Sequence, residues 1–349
     1  MMRRAGLALV LVASATACAR PETSSAPTGA ELVRLSGATM GTTWSAALVA
    51  DRTREPELAR ELQEVLDRVD ARMSTYRPDS EVSRFSALPL GPDGTASLEV
   101  SDETAAVVRL ALEVAERSGG AFDPTVGPLV RLWGFGPDPA PDGAPPPQEL
   151  AAARDRVGWR ALRVEGNRLV KTRDGLELDL SAVAKGHAVD AALDRMAELG
   201  VSDALVEVGG EVGARGLRPG GVPWRVGIDL PREGSLPGQA LQLVVPLSDR
   251  ALATSGDYRN FRIVEGRRVG HEIDPRSGLP VGHDLASVSV VAPSCALADA
   301  LATACFVLGP EEGMALVLDW DDVEALLVRR TEEGFVVERS PGFPEPLER

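Results

Sequence analysis

Apolar residues recur every three or four positions after Pro56, where Leu58, Leu62, Val65, Leu66, Val69 and Met73 fall on one stripe. That spacing predicts an amphipathic helix opened by the proline. A second helix is predicted over residues 102–117, stopped by Gly119-Gly120, and shorter ones near 148–156 and 311–319. The run 295–308 is apolar almost throughout. Pro293 and Gly309 bound it and Ser294 stands where an N-cap belongs, so it reads as a buried helix.

Strand patterns fill most of the remainder. Residues 32–48 read as strand, interrupted at Thr39-Met40-Gly41-Thr42, and 161–164 with 168–171 read as a hairpin around Glu165-Gly166-Asn167. Residues 176–180 form a further strand, followed by a small-residue turn, Ser181 to Gly186, that opens a helix to Leu199. From Ala204 onward strands are predicted over 204–208, 211–215, 224–229, 241–245, 258–264, 268–273 and 287–291, with a closing hairpin of 324–329 and 335–338. Consecutive strands with few helices between them imply an α+β fold built mostly from antiparallel sheet. The Pro- and Gly-rich stretch 137–147 is a surface loop.

Polar residues then stand out against this background. Asp299 and Thr303, four apart in the buried helix, share one face a turn apart. A carboxylate buried among Ala, Leu and Val needs a cation partner, either a side chain or a metal, and a hard metal suits both oxygens. Spacing alone is more often that of an ordinary helix-surface pair or a capping interaction. The strand, small-residue turn and helix around Ser181 offer free amides to an anion, with Asp179 and Lys185 bracketing the turn. Two more polar clusters, Ala253 to Tyr258 and His271 to Gly278, precede the helix.

Composition narrows the picture. The 349 residues can bury a sizeable core, and a formal charge of −15 argues against a nucleic-acid partner. Arg3 and Arg4 precede an apolar run from Ala5 to Ala17, too short to span a bilayer but suited to a secretory signal. Ala15-Thr16-Ala17-Cys18 resembles a bacterial lipoprotein cleavage site, and the Ser-, Thr- and Pro-rich residues after it read as a tether. The expected organisation is therefore a signal peptide (1–17), a tether lipidated at Cys18 (18–30) and one folded domain (31–349), exported and membrane-anchored facing the periplasm. Cys295 and Cys305, ten apart in one predicted helix, are too distant to bond each other. Three His with so few Cys exclude a Cys/His zinc cluster.

Taken in order, the clusters resemble the bacterial FAD:protein FMN transferase family, also called the ApbE family. The resemblance is carried by Thr39-Met40-Gly41-Thr42, Met73-Ser74-Thr75-Tyr76 with Ser80-Glu81, Gly120-Ala121-Phe122-Asp123-Pro124-Thr125 and Leu132-Trp133-Gly134-Phe135-Gly136. It continues through Asp179-Leu180-Ser181-Ala182 with Lys185-Gly186, Ala253-Thr254-Ser255-Gly256-Asp257-Tyr258, His271-Glu272-Ile273-Asp274-Pro275 with Gly278, and Ala298-Asp299-Ala300 with Thr303. Ser277 stands where the family often has Thr, and Lys185 where some members carry an acidic residue.

The resemblance implies an α+β fold of two lobes with FAD in the cleft between them. Mg2+ assists cleavage of the FAD pyrophosphate, and FMN passes to a Thr hydroxyl of a partner as a phosphoester with release of AMP. It implies Met40, Tyr76, Ala121, Phe122, Asp123, Asp179, Lys185 and Ile273 as flavin-nucleotide contacts, and Asp299, Thr303 and the backbone oxygen of Ala182 as metal ligands. The partners it implies are acceptor flavoproteins, among them subunits of membrane redox complexes. His271 is the candidate general base, because an imidazole titrates near neutrality, and Asp257 is the fallback. Two other readings use the same residues: a metal-dependent FAD pyrophosphatase releasing FMN and AMP, and a non-catalytic periplasmic flavin-binding lipoprotein. Ser36-Gly37-Ala38-Thr39 resembles the end of an acceptor motif, but Val33-Arg34 occupies the upstream place of Asp-Gly, so Thr39 is not expected to be flavinylated.

Overall fold

The computed structural model describes residues 30–136, 141, 143–232, 239, 241–258 and 260–347. The expected signal peptide, Cys18 and the tether as far as Gly29 lie outside them, as does part of the 137–147 loop.

An eight-stranded sheet organises the chain, in the order Ala30–Thr39, Thr42–Asp51, Ala204–Val208, Glu211–Arg215, Arg250–Gly256, Leu285–Ala292, Glu324–Thr331 and Gly334–Arg339. Every neighbouring pair is antiparallel. Side chains alternate between two apolar layers, as the two-residue period of a strand requires. Ala251 and Ala253 join the core shared with the helices Glu55–Met73, Ala184–Glu198 and Cys295–Leu308, while Leu252 joins a second core under the ribbon Trp224–Asp229 and Leu241–Leu247. The strand Leu285–Ala292, covered on both faces, is buried along its whole length.

The predicted stripe from Leu58 to Met73 is buried, and the helix that carries it runs Glu55–Met73. Ser294 caps Cys295–Leu308, its hydroxyl accepting from the Leu297 amide at 3.3 Å. Cys295 and Cys305 are buried free thiols, and burial pushes Cys305 up to about 12. A smaller sheet of Ala96–Glu99, Arg168–Lys171 and Leu162–Glu165 packs with helix Asp102–Arg117 on the same continuous core.

Some predicted elements take another form. Residues 32–48 are not one interrupted strand but a hairpin turning at Met40 and Gly41, whose φ values of +48° and +72° suit a two-residue turn of the primed type. Residues 176–180 are not a strand. Leu176, Leu178 and Leu180 are buried in alternation, but no strand among the described residues pairs with them. Their backbone is satisfied piecemeal: the Leu178 amide by Ser86 Oγ, the Asp179 amide by the Pro124 carbonyl, and the Leu176 carbonyl by Lys171 Nζ. Conversely Arg250–Gly256 is a central strand although its small and hydroxylated residues lack a strand's apolar alternation. Strand Ala96–Glu99 and the short helix Gly127–Leu132 were likewise not anticipated from the pattern.

Candidate active site

A cleft of about 1130 Å³ opens where the large sheet and its helices meet the loops of the smaller part. It exceeds the roughly 300–1,000 Å³ of ordinary small-molecule sites and suits a ligand of dinucleotide size. Its wall is assembled from distant stretches: the hairpin turn at Met40, the loop at Tyr76, Ala121 to Asp123, Asp179 to Lys185, the end of strand Arg250–Gly256, His271 to Ile273, and the Asp299 and Thr303 side of the buried helix.

Two helix N-termini meet beneath this cleft. Gly186, in the first turn of Ala184–Glu198, lies so close to the neighbouring helix that a Cβ there would sit 2.3 Å from the Cys295 carbonyl oxygen. The Gly186 amide donates to Asp299 Oδ2 at 3.0 Å, and Asp190 accepts from the Cys295 and Ala296 amides at 2.7 and 2.9 Å. Burial drives the Asp190 carboxyl up to about 6, and the two amides recover only part of that cost.

The other oxygen of Asp299 faces a cation. Lys185 Nζ lies 3.6 Å from Asp299 Oδ1 and 3.1 Å from Glu211 Oε1. Of the two partners the sequence left open for Asp299, the fold thus supplies a side chain. Burial disfavours the Lys185 ammonium, yet the Asp299 and Glu211 carboxylates outweigh it and hold its pKa above the usual lysine value. Glu211 is itself buried, and its Oε2 has no hydrogen-bond partner among the described residues. Thr303 Oγ1 sits 3.1 Å from Ser255 Oγ.

His271 lines the cleft with its Nδ1 3.1 Å from both Glu272 Oε2 and the Asn260 carbonyl. Burial works against the imidazolium, but the charge of the Glu272 carboxylate and the hydrogen bond to the Asn260 carbonyl prevail, leaving the pKa above the ordinary 6.5. Asp257 does not line the cleft. Arg330 holds it from the next strand but one, with Nη1 3.0 Å from Oδ2, so the fallback base is a structural ion pair.

The comparisons with known proteins converge. The ApbE family model matches residues 40–327. The chain belongs to the ApbE family.

This ApbE chain is 42% identical over 320 residues to the FAD:protein FMN transferase of Vibrio cholerae serotype O1, covering 90% of this chain and 92% of that one. It is 35% identical over 350 residues to the Haemophilus influenzae protein of the same name, covering 98% and 97%. Among solved structures it is similar to the flavin transferase ApbE of Vibrio cholerae, at TM-score 0.80 and 40% identity over 90% of this chain and 98% of that one. The apo form of the Pseudomonas stutzeri flavinyl transferase ApbE also has TM-score 0.80, with 38% identity over 90% and 96%.

In this ApbE chain the cleft gathers Met40, Tyr76, Ala121, Phe122, Asp123, Asp179, Ala182, Lys185, His271, Ile273, Asp299 and Thr303 on one wall system. Their states differ. Tyr76 is 66% exposed, free to meet a planar ring. Asp123 is buried and occupied by protein donors, accepting from the Thr125 amide and hydroxyl of its own loop at 2.8 and 2.7 Å and from the distant Trp159 amide at 3.0 Å. Asp179 Oδ1 turns back to the Ser181 amide at 2.9 Å, shaping the turn before Lys185. Glu211 and Asp190 are the residues sequence reasoning passed over, and Ser255 was read there only as part of a polar cluster, without a role of its own. The available signal for Glu211 was a charge opening an otherwise buried strand, Glu-Val-Gly-Ala-Arg.

Proposed function

We propose that this ApbE protein transfers the FMN half of FAD to a Thr hydroxyl of an acceptor protein as a phosphoester, releasing AMP. The observation that carries the reading is the joining, in one dinucleotide-sized cleft, of an exposed Tyr76 with the buried charge cluster of Lys185, Glu211 and Asp299 and with His271. A divalent cation fits this cluster. Its donors are oxygens, and Asp299, whose Oδ2 is taken by the Gly186 amide, keeps Oδ1 with no closer partner than the Lys185 ammonium at 3.6 Å. Asp299, Thr303 and the Ala182 backbone oxygen would hold the ion, whose chemistry when bound is to neutralise charge on the diphosphate.

The protein's own groups do the rest. Lys185 and the positive N-terminal end of helix Ala184–Glu198 favour the diphosphate electrostatically, while the Ala184 and Gly186 amides themselves go to Leu180 and Asp299. His271 accepts the proton of the acceptor Thr; the Thr oxygen bonds to the FMN-side phosphorus, and the anhydride bond to AMP breaks with its electrons leaving on AMP. The Asn260 carbonyl takes the Nδ1 hydrogen, with the Glu272 carboxylate beside it as a charge partner, so Nε2 is the nitrogen left for that proton.

Export and anchoring complete the proposal. The basic and apolar leader and the lipoprotein-like sequence ending at Cys18 support a lipid anchor facing the periplasm, with membrane redox subunits as acceptors. No helix among the described residues is long and apolar enough to cross a membrane. The decisive experiment mixes the protein with FAD, Mg2+ and exported candidate acceptors and reads intact mass. One FMN on an acceptor Thr is expected; rapid release of FMN and AMP with no labelled acceptor would replace transfer by hydrolysis.

A further inference from the structure

Glu211 has no part in the ligand set just described, yet it is the closest carboxylate to the Lys185 ammonium. At 3.1 Å the contact to its Oε1 is within hydrogen-bonding range, whereas the 3.6 Å contact to Asp299 Oδ1 is attraction without a hydrogen bond. The fold builds this preference in. Glu211 leaves the Gly209-Gly210 turn, and a Cβ at Gly209 would stand 3.3 Å from Lys185 Cδ, so the glycine makes room for the lysine stem. On the other side, the Gly186 amide fastens Asp299 by Oδ2, which leaves Oδ1 as the oxygen that Lys185 and any other cation share.

We propose that Glu211 is a positioning residue for the cation site: it holds the Lys185 ammonium on its own carboxylate and so keeps Asp299 Oδ1 open to a divalent ion. The inference rests on the metal reading given above. Without the Glu211 charge, the nearest anion to the ammonium is Asp299, and a lysine paired there competes with the metal for the same oxygen.

The test is a double-mutant cycle on the full-length protein, read by calorimetric titration with Mg2+ in the absence of FAD. Glu211→Gln is expected to weaken Mg2+ binding about fivefold or more when Lys185 is present and to have little effect in a Lys185→Met background. Equal affinity of Glu211→Gln and wild type overturns the proposal. So does an equal loss in both backgrounds, which would make Glu211 act on the ion directly. If wild type binds no Mg2+, the metal reading itself falls and this inference with it. Should Glu211→Gln fail to fold, Glu211→Asp carries the same comparison, because a shorter side chain lengthens the ion pair; its loss must again vanish without Lys185.

Discussion

Asp190 and Asp299 each cap the first turn of the helix that carries the other. Asp190 takes the Cys295 and Ala296 amides, and Asp299 takes the Gly186 amide. The two helices therefore fix each other in rotation and along their axes, and Oδ1 of Asp299 is presented to the cleft by a clasp rather than by one side chain's rotamer.

The clasp has a pH signature. Asp190 has a folded-state pKa of about 6 against an ordinary 3.8, so its favourable contribution is complete below the lower value and is lost as pH rises through the upper one. Urea midpoints of wild type measured against Asp190→Asn should fall between pH 4 and 6 and then level off. A flat difference across that window would remove burial as the cause.

Gly186→Ala should be destabilising by about 1–3 kcal/mol or more, because the added methyl meets a backbone carbonyl that cannot rotate away. Thermal denaturation reads the loss. Weaker Mg2+ binding should accompany it, since Asp299 loses its fixed partner.

Asp299→Asn retains an oxygen for the Gly186 amide but not the charge. Transfer should drop on the order of 100-fold or more while the fold persists, the size expected when a metal's charge stabilisation is lost. Ser255→Ala, which removes only the hydroxyl beside Thr303, should raise the Mg2+ needed for half-maximal transfer by about tenfold. Chelation by EDTA should abolish transfer, and restored Mg2+ should return it.

His271→Ala should slow transfer by about 10²–10⁴-fold with FAD binding retained. A base works when neutral, so wild-type transfer should rise with pH through a midpoint above the ordinary imidazole value, where Glu272 holds it. In Glu272→Gln the midpoint should move down. A pH profile of single-turnover transfer that is unchanged by Glu272→Gln would separate the two residues.

The sequence by itself determined the elements whose cause is local. The stripe from Leu58 to Met73 and the Ser294 cap are set by residues within a few turns, and so they are legible without the fold. The same holds for the shared face of Asp299 and Thr303, which follows from helical spacing, and for the demand of the buried Asp299 carboxylate for a cation. Only the tertiary structure showed which side chain stands beside it. Lys185 reaches Asp299 because two helices dock backbone to backbone at Gly186, and Glu211 joins them from a strand, contacts between segments that no period records. Residues 176–180 and Asp257 show the same limit: alternation buries leucines whether or not a strand lies beside them, and an aspartate near the site belongs to whichever arginine the sheet brings up, here Arg330.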